Sequence, residues 1–166
     1  MIKHTKIALL LGVLLLGAGC TNSSNVFSSN YQPDPNGDPF NPPIRADLHS
    51  SDLTHFPSSL FDNTKIEWLD LSDNNITGSF PSEIREFKNL KYLNASHNKM
   101  TGVPAEIGQL SALEELDLSY NKLTGLPLEL GNLKNLKRLD LRGNEISPQD
   151  LDSIRTKLTK TEILST

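Results

Sequence analysis

The segment Leu113-Glu-Glu-Leu116-Asp-Leu118-Ser-Tyr-Asn121-Lys-Leu123 sets leucine at alternate positions and then runs into a lone asparagine. The same wording recurs on both sides of it. Ile66-Glu-Trp68-Leu69-Asp70-Leu71-Ser-Asp-Asn74-Asn-Ile76 and Leu90-Lys-Tyr92-Leu93-Asn94-Ala95-Ser-His97-Asn98-Lys-Met100 precede it. Leu136-Lys-Arg138-Leu139-Asp140-Leu141-Arg-Gly-Asn144-Glu-Ile146 follows. The asparagines stand 24, 23 and 23 residues apart. Each of the first three copies continues through Thr-Gly to a proline: Pro81, Pro104 and Pro127. A degenerate fifth copy comes first, with Ala46-Asp47-Leu48, Leu53 and Pro57, but Ser51 in place of the asparagine.

A fixed period of this length means stacked units that bury a shared core. The alternating leucines predict a short strand with one face inside. Stacking the copies makes those strands a parallel sheet. Where the chain leaves the strand and turns inward, backbone groups lose their sheet partners, and a buried amide satisfies them. Asn74, Asn98, Asn121 and Asn144 are therefore read as a structural ladder. Ile84, Ile107 and Leu130 fill the far side of the core, continued by Phe87, Leu110 and Leu133. Asn63 holds that last place in the degenerate copy, which marks residues 43–65 as an N-terminal cap.

These copies resemble the leucine-rich repeat family, of the 23-residue type whose second half reads LPxxIGxLxxL. The resemblance covers about residues 43–146, with four full repeats over 66–146. It implies an α/β repeat fold, a short right-handed arc with a parallel concave sheet. Residues 147–166 read as a C-terminal cap and tail. Ser147-Pro148-Gln149-Asp150 carries the signals of a helix start. Leu151, Ile154 and Leu158 follow at helical spacing, so a capping helix is expected over Pro148–Thr159. Arg155, Lys157 and Lys160 complement the dipole at its end.

The first twenty residues read differently. Lys3, His4 and Lys6 precede an apolar run from Ile7 to Gly19. Thirteen residues are too few to cross a bilayer, which takes about 20, and suit a secretory signal. The run ends in Gly17-Ala18-Gly19-Cys20 and resembles the lipobox of bacterial lipoproteins, although Gly17 stands where leucine is usual. That resemblance implies cleavage after residue 19 and lipid on Cys20. It also implies an extracytoplasmic address, the outer membrane in a cell with two. Residues 20–42 form a tether with five Asn, four Ser and four Pro, a composition expected to be disordered. Asp34, Asn36 and Asp38 alternate like the start of a calcium loop, but Pro39 and Arg45 occupy the places that need Gly and Glu.

Composition narrows the function. Leucine supplies 28 of 166 residues, and the net charge is −4. A basic nucleic-acid binder usually has a pI above about 9, so no nucleic acid partner is expected. With one cysteine there is no internal disulfide and no thiolate metal cluster. His49, His55 and His97 fall in different copies and without metal-ligand spacing. Asp47, Asp70, Asp117 and Asp140 share a column, yet Leu-Asp-Leu-Ser is the generic wording of the repeat. The chain is read as non-enzymatic, without cofactor, catalytic residue or metal.

What remains is a surface. The family resemblance puts the residues between the leucines on the concave side. Trp68 and Tyr92 share one column there, and His97 and Tyr120 another, flanked by Arg45, Glu115 and Arg138. Trp and Tyr most often anchor interfaces. Five strands give a face about 24 Å by 17 Å. That is roughly half the ~800 Å² per partner of a standard complex. A protein or peptide ligand of modest footprint is expected. A self-associating envelope spacer and a glycan-binding module are the alternatives.

Overall fold

The computed structural model describes residues 43–165. The expected signal over residues 1–19, Cys20 and the expected tether lie outside them. Each of the first four copies contributes one three-residue strand and, beyond it, a short 3-10 turn. In chain order the elements are β1 (Arg45–Asp47), η1 (Ser58–Asp62), β2 (Trp68–Asp70), β3 (Thr77–Gly78), η2 (Ser82–Glu86), β4 (Tyr92–Asn94), β5 (Lys99–Met100), η3 (Ala105–Gln109), β6 (Glu115–Asp117), η4 (Leu128–Asn132) and β7 (Arg138–Asp140). The chain closes with α1 (Pro148–Lys157) and β8 (Glu162–Leu164). The main sheet is parallel, in the order β1-β2-β4-β6-β7-β8, and β3 pairs with β5 in a small second sheet.

The register explains the leucines. Ala46, Leu69, Leu93, Leu116, Leu139 and Ile163 are cross-strand partners in the middle row. The first five are buried. On the opposite side each 3-10 turn starts after a proline in extended conformation, Pro57, Pro81, Pro104 or Pro127. Proline has no N–H to leave unpaired there and holds φ where the turn begins. Each turn buries one aliphatic side chain, Leu60, Ile84, Ile107 or Leu130.

The asparagines join one copy to the next. The Asn98 Oδ1 accepts the Ile76 N–H at 2.9 Å, and its Nδ2 donates to the carbonyls of Leu71, Ala95 and Ser96. Asn121 repeats this with the Met100 N–H and the carbonyls of Ala95, Leu118 and Ser119. Asn144 takes the Leu123 N–H and donates to Leu118 and Leu141. Asn74 serves the degenerate copy, accepting from the N–H groups of Ser51 and Leu53 and donating to Leu48. Each amide reaches back to the copy before it, and Ser51 has no described strand ahead of β1 to serve.

Both ends are closed. At the N-terminus Phe56 and Phe61 stack, and Phe61 stacks on Phe87 with centroids 5.3 Å apart. These rings close the layer where Asn63 interrupts the apolar row. At the C-terminus the Ser147 Oγ accepts the Asp150 N–H, and Ile154 and Leu158 are buried. The helix ends at Lys157, two residues short of the expected Thr159, because Leu158 leaves helical geometry to cap it. The reading of the remainder as a tail is corrected. Glu162, Ile163 and Leu164 pair with Arg138, Leu139 and Asp140 as a sixth strand. The period thus persists past Ile146, with α1 in place of a 3-10 turn.

Candidate functional site

Alternation puts the first and third residue of every strand on the outer face of the sheet. The first row runs Arg45, Trp68, Tyr92, Glu115, Arg138, Glu162. The Trp68 and Tyr92 rings stack with centroids 5.0 Å apart and planes within 4°. The Arg45 guanidinium lies 5.1 Å from the Trp68 ring centroid. Cation and ring attract through the ring quadrupole. The three side chains form one continuous pile, all of it half-buried. The Arg45 Nε within the pile has no hydrogen-bond partner among the described residues.

Burial, with the carboxylates of Asp70, Asp117 and Glu115 nearby, pushes the Tyr92 hydroxyl up to about 12. The phenol therefore stays a neutral donor at any physiological pH. Glu115 is exposed and Arg138 half-buried, continuing the row toward the C-terminal end.

The third row is Asp47, Asp70, Asn94, Asp117, Asp140 and Leu164. Its carboxylates have a turn-forming task. The Asp70 Oδ1 accepts both the Ser72 N–H at 2.8 Å and the Ser72 hydroxyl at 2.6 Å. Asn94 does the same for Ser96, and Asp117 for Ser119. Each local bond bends the chain as it leaves the strand.

The last copy departs from this wording. Arg142 replaces the serine, and its guanidinium grips Asp140 with Nε 3.0 Å from Oδ1 and Nη2 2.6 Å from Oδ2. Arg138 adds a third contact at 3.1 Å. Burial raises the Asp140 carboxyl, but Arg142 and then Arg138 outweigh it and hold it below the usual carboxylate range.

His97 and Tyr120 stand apart from these rows, at the residue before the ladder asparagine. Ser50, Asp73, His97, Tyr120 and Gly143 occupy that place in successive copies, and all have φ between 50° and 68°. Left-handed backbone costs a non-glycine residue roughly 1–2 kcal/mol. Asparagine, aspartate and histidine visit it more readily than a bulky residue such as tyrosine. Here His97 and Tyr120 are exposed and stacked on each other, with centroids 4.4 Å apart and planes within 15°. The Tyr120 ring continues over Gly143, where a Cβ would lie 2.6 Å from its Cδ1. His49 lies beside Asp47 instead. Among the described residues no three His, Cys, Asp or Glu side chains gather as a metal-ligand set.

The strain gives a direct prediction. Tyr120→Gly relieves the backbone while losing a ring stack worth about 0.5–1.5 kcal/mol, so the two effects nearly cancel. Tyr120→Ala loses the stack and keeps the strain. Denaturant unfolding is expected to place the glycine variant about 1 kcal/mol above the alanine variant, the reverse of the usual order. Equal midpoints would mean that the left-handed conformation carries no cost.

The sequence brought together Trp68 with Tyr92 and His97 with Tyr120, and the structure stacks each pair. It set Arg45 beside these columns but not onto the Trp68 ring, and it did not join Arg142 to Asp140. The second junction had a signal, since Arg-Gly stands where the other copies read Ser-Asp, Ser-His and Ser-Tyr.

Comparison with known proteins agrees with this geometry. A family model described as a leucine-rich repeat region matches residues 48–165. A 55-residue stretch is 38% identical to receptor-like protein 47 of Arabidopsis thaliana, covering 33% of this chain and 7% of that protein. Among solved structures, a leucine-rich repeat protein of Leptospira interrogans shares 37% identity with a TM-score of 0.56, over 68% of this chain and 34% of that one. A chain of the BIR3–SERK2 complex of Arabidopsis thaliana shares 30% identity with a TM-score of 0.62, over 86% of this chain and 74% of its own. The chain thus spans a small part of the curated relative and about a third of the Leptospira protein. With repeats, ladder, sheet and family match in agreement over residues 48–165, this chain belongs to the leucine-rich repeat family.

Proposed function

We propose that this chain is a non-enzymatic recognition module that binds a protein or peptide through the outer face of its sheet. In this reading it is held outside the cytoplasm of a bacterium by lipid on Cys20. The observation that carries the reading is the pairing of stacked aromatics on one surface, Trp68 on Tyr92 and His97 on Tyr120. The second pair sits on left-handed backbone that glycine would relieve. Strain kept under exposed rings points to a use for those rings. The BIR3–SERK2 complex, which holds a similar chain, is an assembly of proteins. Six strands rather than five extend the face to about 29 Å, which still suits a peptide segment or a small domain edge. Many copies displayed on one membrane would add avidity. The lipid reading rests on the wording of residues 1–20 alone.

The test uses the full chain, tagged and cross-linked in intact cells. Trp68→Ala combined with Tyr92→Ala is expected to lower partner recovery at least tenfold, with the fold retained at a stability cost of at least the stack's about 0.5–1.5 kcal/mol. Unchanged recovery would overturn the site. In the same cells Cys20→Ala is expected to abolish incorporation of an alkyne-labelled fatty acid. Labelling that persists would overturn the anchor.

A further inference from the structure

The C-terminal cap carries a group of cations that the sheet face does not explain. A hollow of about 240 Å³ lies beside the end of α1, lined by Lys134, Lys157, Leu158, Thr159, Lys160 and Thr161. Its charge is unusual for a chain of net −4. Lys91 pairs with Glu67 and Lys137 with Glu114, whereas the hollow gathers three lysines in one lining. Among the described residues no carboxylate forms an ion pair with Lys134, Lys157 or Lys160.

Two of these lysines are also held in place. The Lys134 Nζ donates to the Gly131 carbonyl at 2.7 Å, and the Lys157 Nζ donates to the Leu128 carbonyl at 3.2 Å. The Lys157 stem lies on Gly131, where an added Cβ would come within 2.8 Å of the Lys157 Cβ. The missing side chain at Gly131 is what lets that stem lie flat. An ammonium has three donors, so one carbonyl leaves each lysine two more. The Thr161 hydroxyl donates to the Leu136 carbonyl at 2.7 Å and has no proton left for an anion, while the Thr159 hydroxyl is exposed and free to donate.

We infer that this hollow binds a phosphate group. Its lining supplies three lysines and no arginine, compact ammonium charges that suit the spread charge of a tetrahedral anion. A planar carboxylate is better met by the flat fork of an arginine. The volume is below the roughly 300–1,000 Å³ of drug-sized sites, so the hollow takes the phosphate group itself and leaves whatever carries it outside. Inorganic phosphate and the phosphodiester of a lipid headgroup present the same chemistry. The inference is independent of the sheet-face reading, since the hollow shares no residue with it.

The test is an amide-shift titration of the full chain in neutral detergent micelles at constant ionic strength. Inorganic phosphate is added in one arm, and phosphatidylglycerol is doped into the micelles in the other. Saturable shifts confined to Lys134 and residues 157–161 are expected. The arm that produces them identifies the source, and a response in both means that the site takes either. Lys134→Gln with Lys160→Gln, both at exposed positions, is expected to weaken binding on the order of tenfold. Lys122→Gln, outside the hollow, should leave it unchanged. Shifts that do not saturate, that spread over all exposed lysines, or that chloride reproduces would overturn the site.

Discussion

Asn121→Ala is expected to lower stability by about 3 kcal/mol, among the largest losses of any polar substitution in this chain. The amide joins two copies through the Met100 N–H, at 2.9 Å, and the carbonyls of Ala95 and Leu118. Asn121 is buried in the middle of the stack, so water does not readily replace it. Each polar group left unpaired costs roughly 1–3 kcal/mol. Asn121→Asp should be worse than alanine, because it turns a carboxylate oxygen toward three carbonyls. Asn144→Ala should cost less, since that side chain is half-buried near the end of the arc. Chemical denaturation with hydrogen exchange at Met100 reads both the size and the place of the effect. An order of Asn144 above Asn121, or aspartate milder than alanine, would contradict the ladder as the coupling between copies.

Gly108→Ala is expected to disturb the other side of the arc. A Cβ there would lie 2.7 Å from the Glu129 carbonyl carbon and closer still to its oxygen. These are backbone atoms of η4, which cannot swing away as a side chain would. The turns η3 and η4 pack more intimately than η2 and η3, and in the earlier copy Arg85 occupies the corresponding place. Gly131 holds the same place in the next copy, against the Lys157 side chain, so glycine stands where the following element packs closest and arginine where it does not. Overpacking of this kind costs typically 1–3 kcal/mol, here with loss of contact between two copies. Arg85→Ala is the matched control and should change stability little. If Gly108→Ala is as harmless as the control, the close approach of η3 and η4 is not real.

Most of the architecture was legible because the period is carried by leucine and asparagine, whose tasks are local and identical in every copy. Ile66, Leu69, Leu71 and Asn74 state one unit, and stacking follows. The C-terminal strand was missed because Glu162-Ile163-Leu164 keeps the 24-residue step from Arg138 but not the wording. Its partner across the core is a ten-residue helix rather than a proline-led turn. The candidate face was legible as columns, since alternation fixes which side chains point outward. Its details depend on distances between copies. Nothing in the residues around Arg45 announces that its guanidinium lies on Trp68. Left-handed backbone at His97 and Tyr120 was equally silent, although Gly143 at the same place was a hint.

The central claim is that the sheet face, and not the 3-10 side, meets the partner. Photo-crosslinking in intact cells tests it most directly. A photoreactive residue is placed at Glu115, exposed beside Tyr92 in the sheet, or at Gln109, exposed at the end of η3. The account predicts a discrete adduct from Glu115 and none from Gln109. An adduct from Gln109 alone would contradict it.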